Sequence, residues 1–396
     1  MAGRLSRRVV VTGYGVIAPC GSGKDAFWAG LLGPNLTGGT KAGIDPWDPL
    51  PYFENPKEAR RADLFQQFAL GAAEEAFAMA GESGVDPGRF GVIFGTGVGG
   101  IHTLEEQVEV RLEKGDRRVS PFIVPMMMPN AAGAAISMKY KLRGPCQTVT
   151  TACAASTHAI GDAFRQIAWG RCDAVVTGGS EAAGSPTAMA GFQNMTALSS
   201  SGVSMPFSEG RDGFVMGEGG AVLILEALDV AVARGATIYA EVLGGASNAD
   251  AHHITAPSPG GVGAIACMEL ALEEAGLRPS DIKQINAHGT STPLNDAAEA
   301  EAIQKLFGPT GPPVTSTKGV TGHALGAAGA LEAVAVIMSM EKRLIPPTAG
   351  TTALDPSMNI DLVIGEPRPW EPGPAMSNSL GFGGHNGSII FGPPPA

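Results

Sequence analysis

Cysteine is scarce in this chain: five residues in 396, Cys20, Cys146, Cys153, Cys172 and Cys267. None stand in a CxxC spacing, so no sequence-local zinc or dithiol motif is present. An odd count without a tight pattern reads as reduced thiols and a cytoplasmic location. No apolar run is long enough to cross a bilayer. The opening MAGRLSRRVVVTG passes from basic residues straight into a β-like run, without the apolar stretch of a signal peptide. An excess of basic charge is also missing. Lys and Arg number 27 against 38 Asp and Glu, a net charge of −11. That argues against nucleic acid or an anionic membrane as the main partner.

What is abundant is apolar residues, at 44%, and glycine, at 56 residues. The first supports a sizeable core, and the second tight turns and close backbone approaches. Strand-like runs are predicted at 8–12, 90–94, 148–151, 173–177, 220–225, 238–243, 285–287, 314–317, 375–379 and 388–391. Helical patterns are predicted at 24–32, 63–80, 154–169, 260–275, 296–306 and 326–340. This alternation predicts an α/β fold with buried sheets. The chain divides into halves of similar element order, 1–240 and 241–396, with no low-complexity linker between them.

In QTVTTACAAST, Cys153 falls where a β-branched run gives way to small residues. At a helix N-terminus the N–H groups and dipole would favour thiolate, and small neighbours would admit a substrate. The local pattern leaves a second reading open, a small buried hydrophobe. His288, in NAHGTSTPLND, and His323, in STKGVTGHALGAAGALEA beside Lys318, each follow a β-run among small residues. Taken singly, either could be a structural histidine. No ligand pair among these groups has metal spacing, so no metal is expected. His252 and His253 are adjacent, so their side chains diverge, which fits a solvated loop.

TACAAS, NAHGTSTPLND, STKGVTGH and NSLGFGGHN, in this order, resemble the β-ketoacyl-acyl-carrier-protein synthases of the thiolase superfamily, the type II enzymes most of all. The resemblance runs from VVVTGYG to GSIIFG. It implies a thiolase-like five-layered αβαβα fold from two similar halves, and a homodimer. It implies decarboxylative condensation of acyl and malonyl groups on acyl carrier protein, through an acyl thioester on Cys153. The resemblance assigns oxyanion donors to the backbones of Cys153 and Phe382, and malonyl-thioester donors to His288 and His323. Lys318 supports the second histidine, and Glu332 is a buried supporting carboxylate.

Thr290 and Thr292 match hydroxyls that hold the pantetheine arm. Phe382 matches a gate, with Gly381, Gly383 and Gly384 permitting its motion and Asp250 in a second loop beside it. Val98 matches an aliphatic wall of the acyl pocket, near Phe192 and Phe214. Arg60, Arg61, Arg117 and Arg118 match a basic patch for the acidic carrier. No cofactor is implied beyond the phosphopantetheine that the carrier brings.

Three departures stand out. TALSSSGVSMPFSEGRDGF is shortened and has Thr196 where an arginine is frequent. Gly319 replaces a common serine, which would loosen the lysine loop. Val98 is smaller than the frequent isoleucine. These keep open a ketosynthase of a type II polyketide or polyene pathway. A non-catalytic partner subunit is disfavoured by retention of Cys153, His288 and His323. A degradative thiolase would use a second catalytic cysteine, and a cysteine hydrolase would not need the second histidine.

Overall fold

The computed structural model describes residues 7–36 and 38–395. The basic stretch before Arg7 lies outside the described residues.

The first half builds β1 (Val9–Ala18), β2 (Phe90–Gly95), β3 (Cys146–Val149), β4 (Ala174–Glu181) and β5 (Gly219–Ala227), with the two-residue strand Gly21–Ser22 folded back on the end of β1. They lie side by side as β3-β2-β4-β5-β1. The second half builds β6 (Ala240–Ala249), β7 (Gln284–Asn286), β8 (Val314–Thr315), β9 (Ala375–Gly381) and β10 (His385–Gly392), ordered β8-β7-β9-β10-β6. Counted within each half, both orders are third, second, fourth, fifth, first. The directions repeat too. The third, second and fourth strands run parallel, and the fifth is antiparallel to both the fourth and the first. β1 meets β6 through Val9, Val10 and Val11, opposite Val242, Glu241 and Ala240, and this joins the two sheets edge to edge.

Helices complete the layers. α1 (Leu64–Ala80) covers the outer face of β1, β4 and β5. It begins at a capping box, in which the Asp63 carboxylate accepts the Phe65 N–H and Gln66 Oε1 accepts the Asp63 N–H. α2 (Ala155–Ala168) lies between the halves and packs on β2 and β4 as well as β6 and β10. α3 (Val262–Ala275) and α4 (Pro293–Phe307) cover the far side, α3 directly on β6 and β10. α5 (Ala328–Lys342) shares the central layer with α2 and touches β5 and β9. Every residue from Ala328 to Met340 is buried. A helix enclosed on all sides must be apolar around its circumference, and Glu332 is the charged exception. The result is the five-layered αβαβα architecture.

The functional segments fall at the strand ends next to this central layer. Cys153 leads into α2, His288 follows β7, and His323 precedes α5.

Candidate active site

β3 ends at Val149, and Cys153 sits in a tight turn, Ala152–Ala154, just ahead of α2. The helix therefore starts two residues after the thiol, not immediately at the strand end. Ala152 has φ +49°, in the left-handed region that costs a side-chain-bearing residue energy. Leu325 (φ +43°), Ser291 (φ +69°), Thr196 (φ +55°) and Ala251 (φ +49°) share that conformation. All five lie in segments around one cavity. Strain gathered in this way is a mark of a site whose surroundings over-determine it.

The fold brings the three candidate groups together. Cys153 Sγ lies 3.0 Å from His323 Nε2. The His288 and His323 rings meet edge to face, with centroids 5.2 Å apart, and Phe214 packs on His323 at the same separation. The His323 backbone is held between Val215 and Gly217: its N–H donates to Val215 O at 2.8 Å, and its carbonyl accepts from Gly217 at 3.0 Å. His288 is fixed by Glu299 of α4, whose two oxygens accept the N–H groups of His288 (2.7 Å) and Gly289 (2.8 Å).

Lys318 is 1% exposed. Its ammonium pairs with Glu332, donates to His288 O at 2.5 Å and lies 3.4 Å from His288 Nδ1. An ammonium can only donate, so Nδ1 accepts and the His288 proton resides on Nε2. Lys318 thus faces His288, the first histidine, and not the second as the resemblance implied.

Gly319 packs with no room to spare: a Cβ there would lie 2.0 Å from Ala349 O. Its carbonyl accepts the Leu36 N–H at 2.7 Å. Lys318, Gly319, Val320 and Thr321 are all buried. The glycine therefore tightens the lysine loop, contrary to the expectation that it would loosen it.

Burial dominates the electrostatics. It pushes the Cys153 thiol up to about 11, against the pull of the Phe382 backbone N–H and the Lys318 charge. The resting group is therefore a thiol, and the thiolate expected from the helix N-terminus is not the ground state. Both histidines are held well below the usual histidine range, by burial first and Lys318 next. Both are neutral, so each can offer one N–H and accept one proton. Burial raises the carboxyls of Glu332 and Glu299 to about 7, while Lys318 opposes that rise in both.

One pH dependence follows. An acid whose pKa is raised stays protonated further up the pH scale. Alkylation of Cys153 by a small haloacetamide should therefore keep accelerating with pH beyond the ordinary thiol value of 9.0 and level off near 11. A plateau below 9 would show a resting thiolate.

The cavity holds about 370 Å³, and Cys153, His288, His323, Phe214, Leu325 and Phe382 line its reactive end. Thr290 and Thr292 also line it, with hydroxyls 2.9 Å apart. The gate residues form a latch between two loops. Asp250 N–H donates to Gly384 O at 2.8 Å, and Gly383 N–H donates to Ile254 O at 2.7 Å. The Asp250 carboxylate accepts from Ser258 N–H at 2.9 Å and Asn386 Nδ2 at 2.7 Å. Gly383 (φ +82°) and Gly384 (φ +75°) need their glycine freedom, whereas Gly381 is extended and backs against Cys153 N.

Some expected members stand apart. Val98 is 41% exposed and does not line the cavity; its N–H turns toward Glu181. Leu325 lines the cavity instead. Phe192 also lies off the cavity, with its ring edge-on to Phe214 at 5.6 Å. Arg60, Arg61, Arg117 and Arg118 are exposed, and Arg61 stacks over Phe122 at 3.9 Å. Cys153, His288 and His323, expected to lack metal spacing, do place ligand atoms within 4.8 Å of one another. Such a set could ligate a soft cation, but the neighbouring Lys318 ammonium opposes one by charge.

The comparisons with known proteins agree with this geometry. Residues 32–231 match the family model for the β-ketoacyl synthase N-terminal domain, and residues 239–352 match that for the C-terminal domain. The chain belongs to the β-ketoacyl synthase family. This synthase is 42% identical to the 3-oxoacyl-[acyl-carrier-protein] synthase 2 of Staphylococcus aureus strain COL, over 98% of each chain. It is equally identical to the enzyme of that name from Synechocystis, over 99% of each. Among solved structures it resembles a β-ketoacyl synthase from Burkholderia phymatum, at 34% identity and TM-score 0.91, covering 98% of this chain and 100% of that one. It also resembles the ishigamide ketosynthase/chain length factor, at 32% identity and TM-score 0.92 with the same coverage.

Proposed function

We propose that this synthase condenses an acyl group with a malonyl group, both carried on acyl carrier protein, to give a 3-oxoacyl product with loss of carbon dioxide, as in fatty acid elongation. The observation that carries the reading is a cysteine thiol 3.0 Å from one neutral histidine, with a second histidine beside it, in one buried cavity.

In the first half-reaction His323 Nε2 takes the thiol proton as Sγ attacks the thioester carbonyl. The backbone N–H groups of Cys153 and Phe382, both directed at this centre, stabilise the oxyanion. The pantetheine sulfur leaves with the proton that His323 gives back. In the second, malonyl thioester enters and its carbon–carboxylate bond breaks. The electron pair passes into the thioester carbonyl, whose enolate oxygen accepts from His288 Nε2–H and from His323 once the His323 proton has moved from Nδ1 to Nε2. The carbanion then attacks the Cys153 thioester carbonyl, and the cysteine sulfur departs as thiolate and takes a proton from solvent to restore the thiol. Lys318 keeps the His288 proton on the nitrogen facing the cavity, and Glu332 compensates the Lys318 charge.

Thr290 and Thr292, on the cavity wall, suit the pantetheine amides. The chain needs no cofactor of its own in this scheme, because the carrier brings the phosphopantetheine. Residues 1–240 and 241–396 act as one catalytic unit, since Cys153 lies in the first and both histidines in the second. A homodimer is supported by edge strand β3, which pairs only with β2 among the described residues, and by the exposed apolar side chains of Val98, Leu104, Val108, Leu112 and Met138. No described helix is long and apolar enough to cross a membrane, and a cytoplasmic site of action fits the free cysteines.

The test is turnover of malonyl carrier protein with a series of acyl carrier proteins, with products read by mass. A 3-oxoacyl chain two carbons longer than the primer is expected. Release of free acid without condensation would point to a hydrolase, and preference for oligoketide over saturated primers to a polyketide pathway. In the same assay, reversing Arg60, Arg61, Arg117 and Arg118 to Glu should raise KM for carrier-bound substrate, most at low salt. A pantetheine thioester without the protein should be spared. Equal losses for both would mean damage to the fold rather than to docking.

A further inference from the structure

Glu181 ends β4 and is fully buried. The catalytic scheme does not use it. Its Oε2 accepts the N–H groups of Gly97 at 2.6 Å and Gly326 at 3.1 Å. Its Oε1 accepts the Thr96 hydroxyl at 3.1 Å and the Val98 N–H at 3.4 Å. Thr96 to Val98 belong to the GTGVGG loop after β2, in the first half. Gly326 belongs to the second half and directly follows Leu325, which lines the cavity and packs with Cys153, Phe214 and Leu198.

There is no slack where these segments meet. A Cβ on Gly326 would lie 2.2 Å from Gly97 N and 2.8 Å from Glu181 Oε2. Leu325 is held in the left-handed region next to this point. A leucine does not stay there unless its neighbours fix it, and the Gly326 N–H on Glu181 is such a fixing contact.

We infer that Glu181 is a positioning residue for acyl-chain length: by clamping the Gly326 backbone to the GTGVGG loop, it sets where Leu325 closes the acyl cavity. This rests on the proposed condensation and adds to it a determinant of primer selection. The role needs a hydrogen-bond acceptor spanning two loops rather than a negative charge. Gln at this position can keep its oxygen on Gly97 and Gly326 and turn its amide to the Thr96 hydroxyl, which rotates to accept, losing only the long 3.4 Å contact with the Val98 N–H. Ala removes the clamp. Asp keeps the charge but withdraws it by one methylene.

The experiment compares kcat/KM for a series of acyl carrier proteins in wild type, Glu181→Gln, Glu181→Ala and Glu181→Asp, with folding checked by circular dichroism. Ala should lower the discrimination between the preferred primer and one two carbons longer by about tenfold, the scale on which a pocket wall reads added methylenes. Asp should change it in the same direction, and this variant carries the test if Ala does not fold. Gln should stay within about twofold of wild type, because its acceptor is retained. Folded Ala or Asp enzymes that lose rate equally at every length would overturn the inference and leave Glu181 a merely structural group. Gln behaving like Ala would overturn it in favour of a charge effect. A wild type that condenses no primer of any length would overturn the condensation itself, an outcome separate from those two.

Discussion

Glu332→Ala should destabilise the protein by about 3–5 kcal/mol, the cost of stranding a buried charge. Lys318 and Glu332 are each 1% exposed, and their contact is direct. Removing the carboxylate leaves the Lys318 ammonium in the central layer with only the His288 carbonyl and ring nitrogen as hydrogen-bond partners. The exposed pair Lys305–Glu301, one turn apart on α4 and half-exposed on both sides, is the control. Glu301→Ala there should cost no more than about 0.5 kcal/mol. Urea unfolding of both variants decides the matter, and equal midpoints would contradict a buried ion pair. Lys318→Met combined with Glu332→Leu should regain most of the loss, since no charge is then left without a partner. That double variant should remain poor in malonyl decarboxylation, because nothing then holds the His288 proton on Nε2.

His288→Ala and His323→Ala should each slow decarboxylation of malonyl carrier protein by about 10²–10³-fold, the usual effect of losing one oxyanion donor. The geometry separates the two in the other half-reaction. His323 lies against Sγ and His288 does not touch it. Acyl transfer to Cys153 should therefore fall in His323→Ala and be largely preserved in His288→Ala. Single-turnover measurement of each half-reaction tests this. Wild-type decarboxylation in both variants would remove the histidines from the donor role.

Much of this arrangement is legible in the sequence, for physical reasons. β1, β4 and β5 are buried along their whole length, and each carries a short apolar run, VVV, AVV and AVLIL, that marks it as a strand. α1 carries its cap signal at Asp63 and Gln66. The histidines stand out because short, tightly turned segments follow strand ends. Other parts are hidden. The helix Ile101–Lys114 buries only Thr103: its apolar stripe of Ile101, Leu104, Val108 and Leu112 sits among charged residues and joins no core of this chain. Glu181 accepts backbone N–H groups far away in sequence, and Glu299 accepts those of the loop ahead of its helix, and an isolated carboxylate carries no local sign of either role. The GGSE run at the end of β4 held the available clue to Glu181, an acid in a buried strand where a charge needs a reason. The protonation state of Cys153 could not be read locally either. The dipole argument sees only α2, whereas the desolvation that dominates comes from Phe214, Leu198, Leu325 and Met216, drawn from distant segments.

The central claim is that Cys153 is the acylated nucleophile. The direct test is incubation of the protein with an acyl carrier protein bearing a labelled acyl group, without malonyl donor, followed by peptide mapping under conditions that preserve thioesters. The label is expected on Cys153 alone, one acyl group per chain, and is expected to be lost in Cys153→Ala. Label on Cys20, Cys146, Cys172 or Cys267 with Cys153 unmodified would contradict the account.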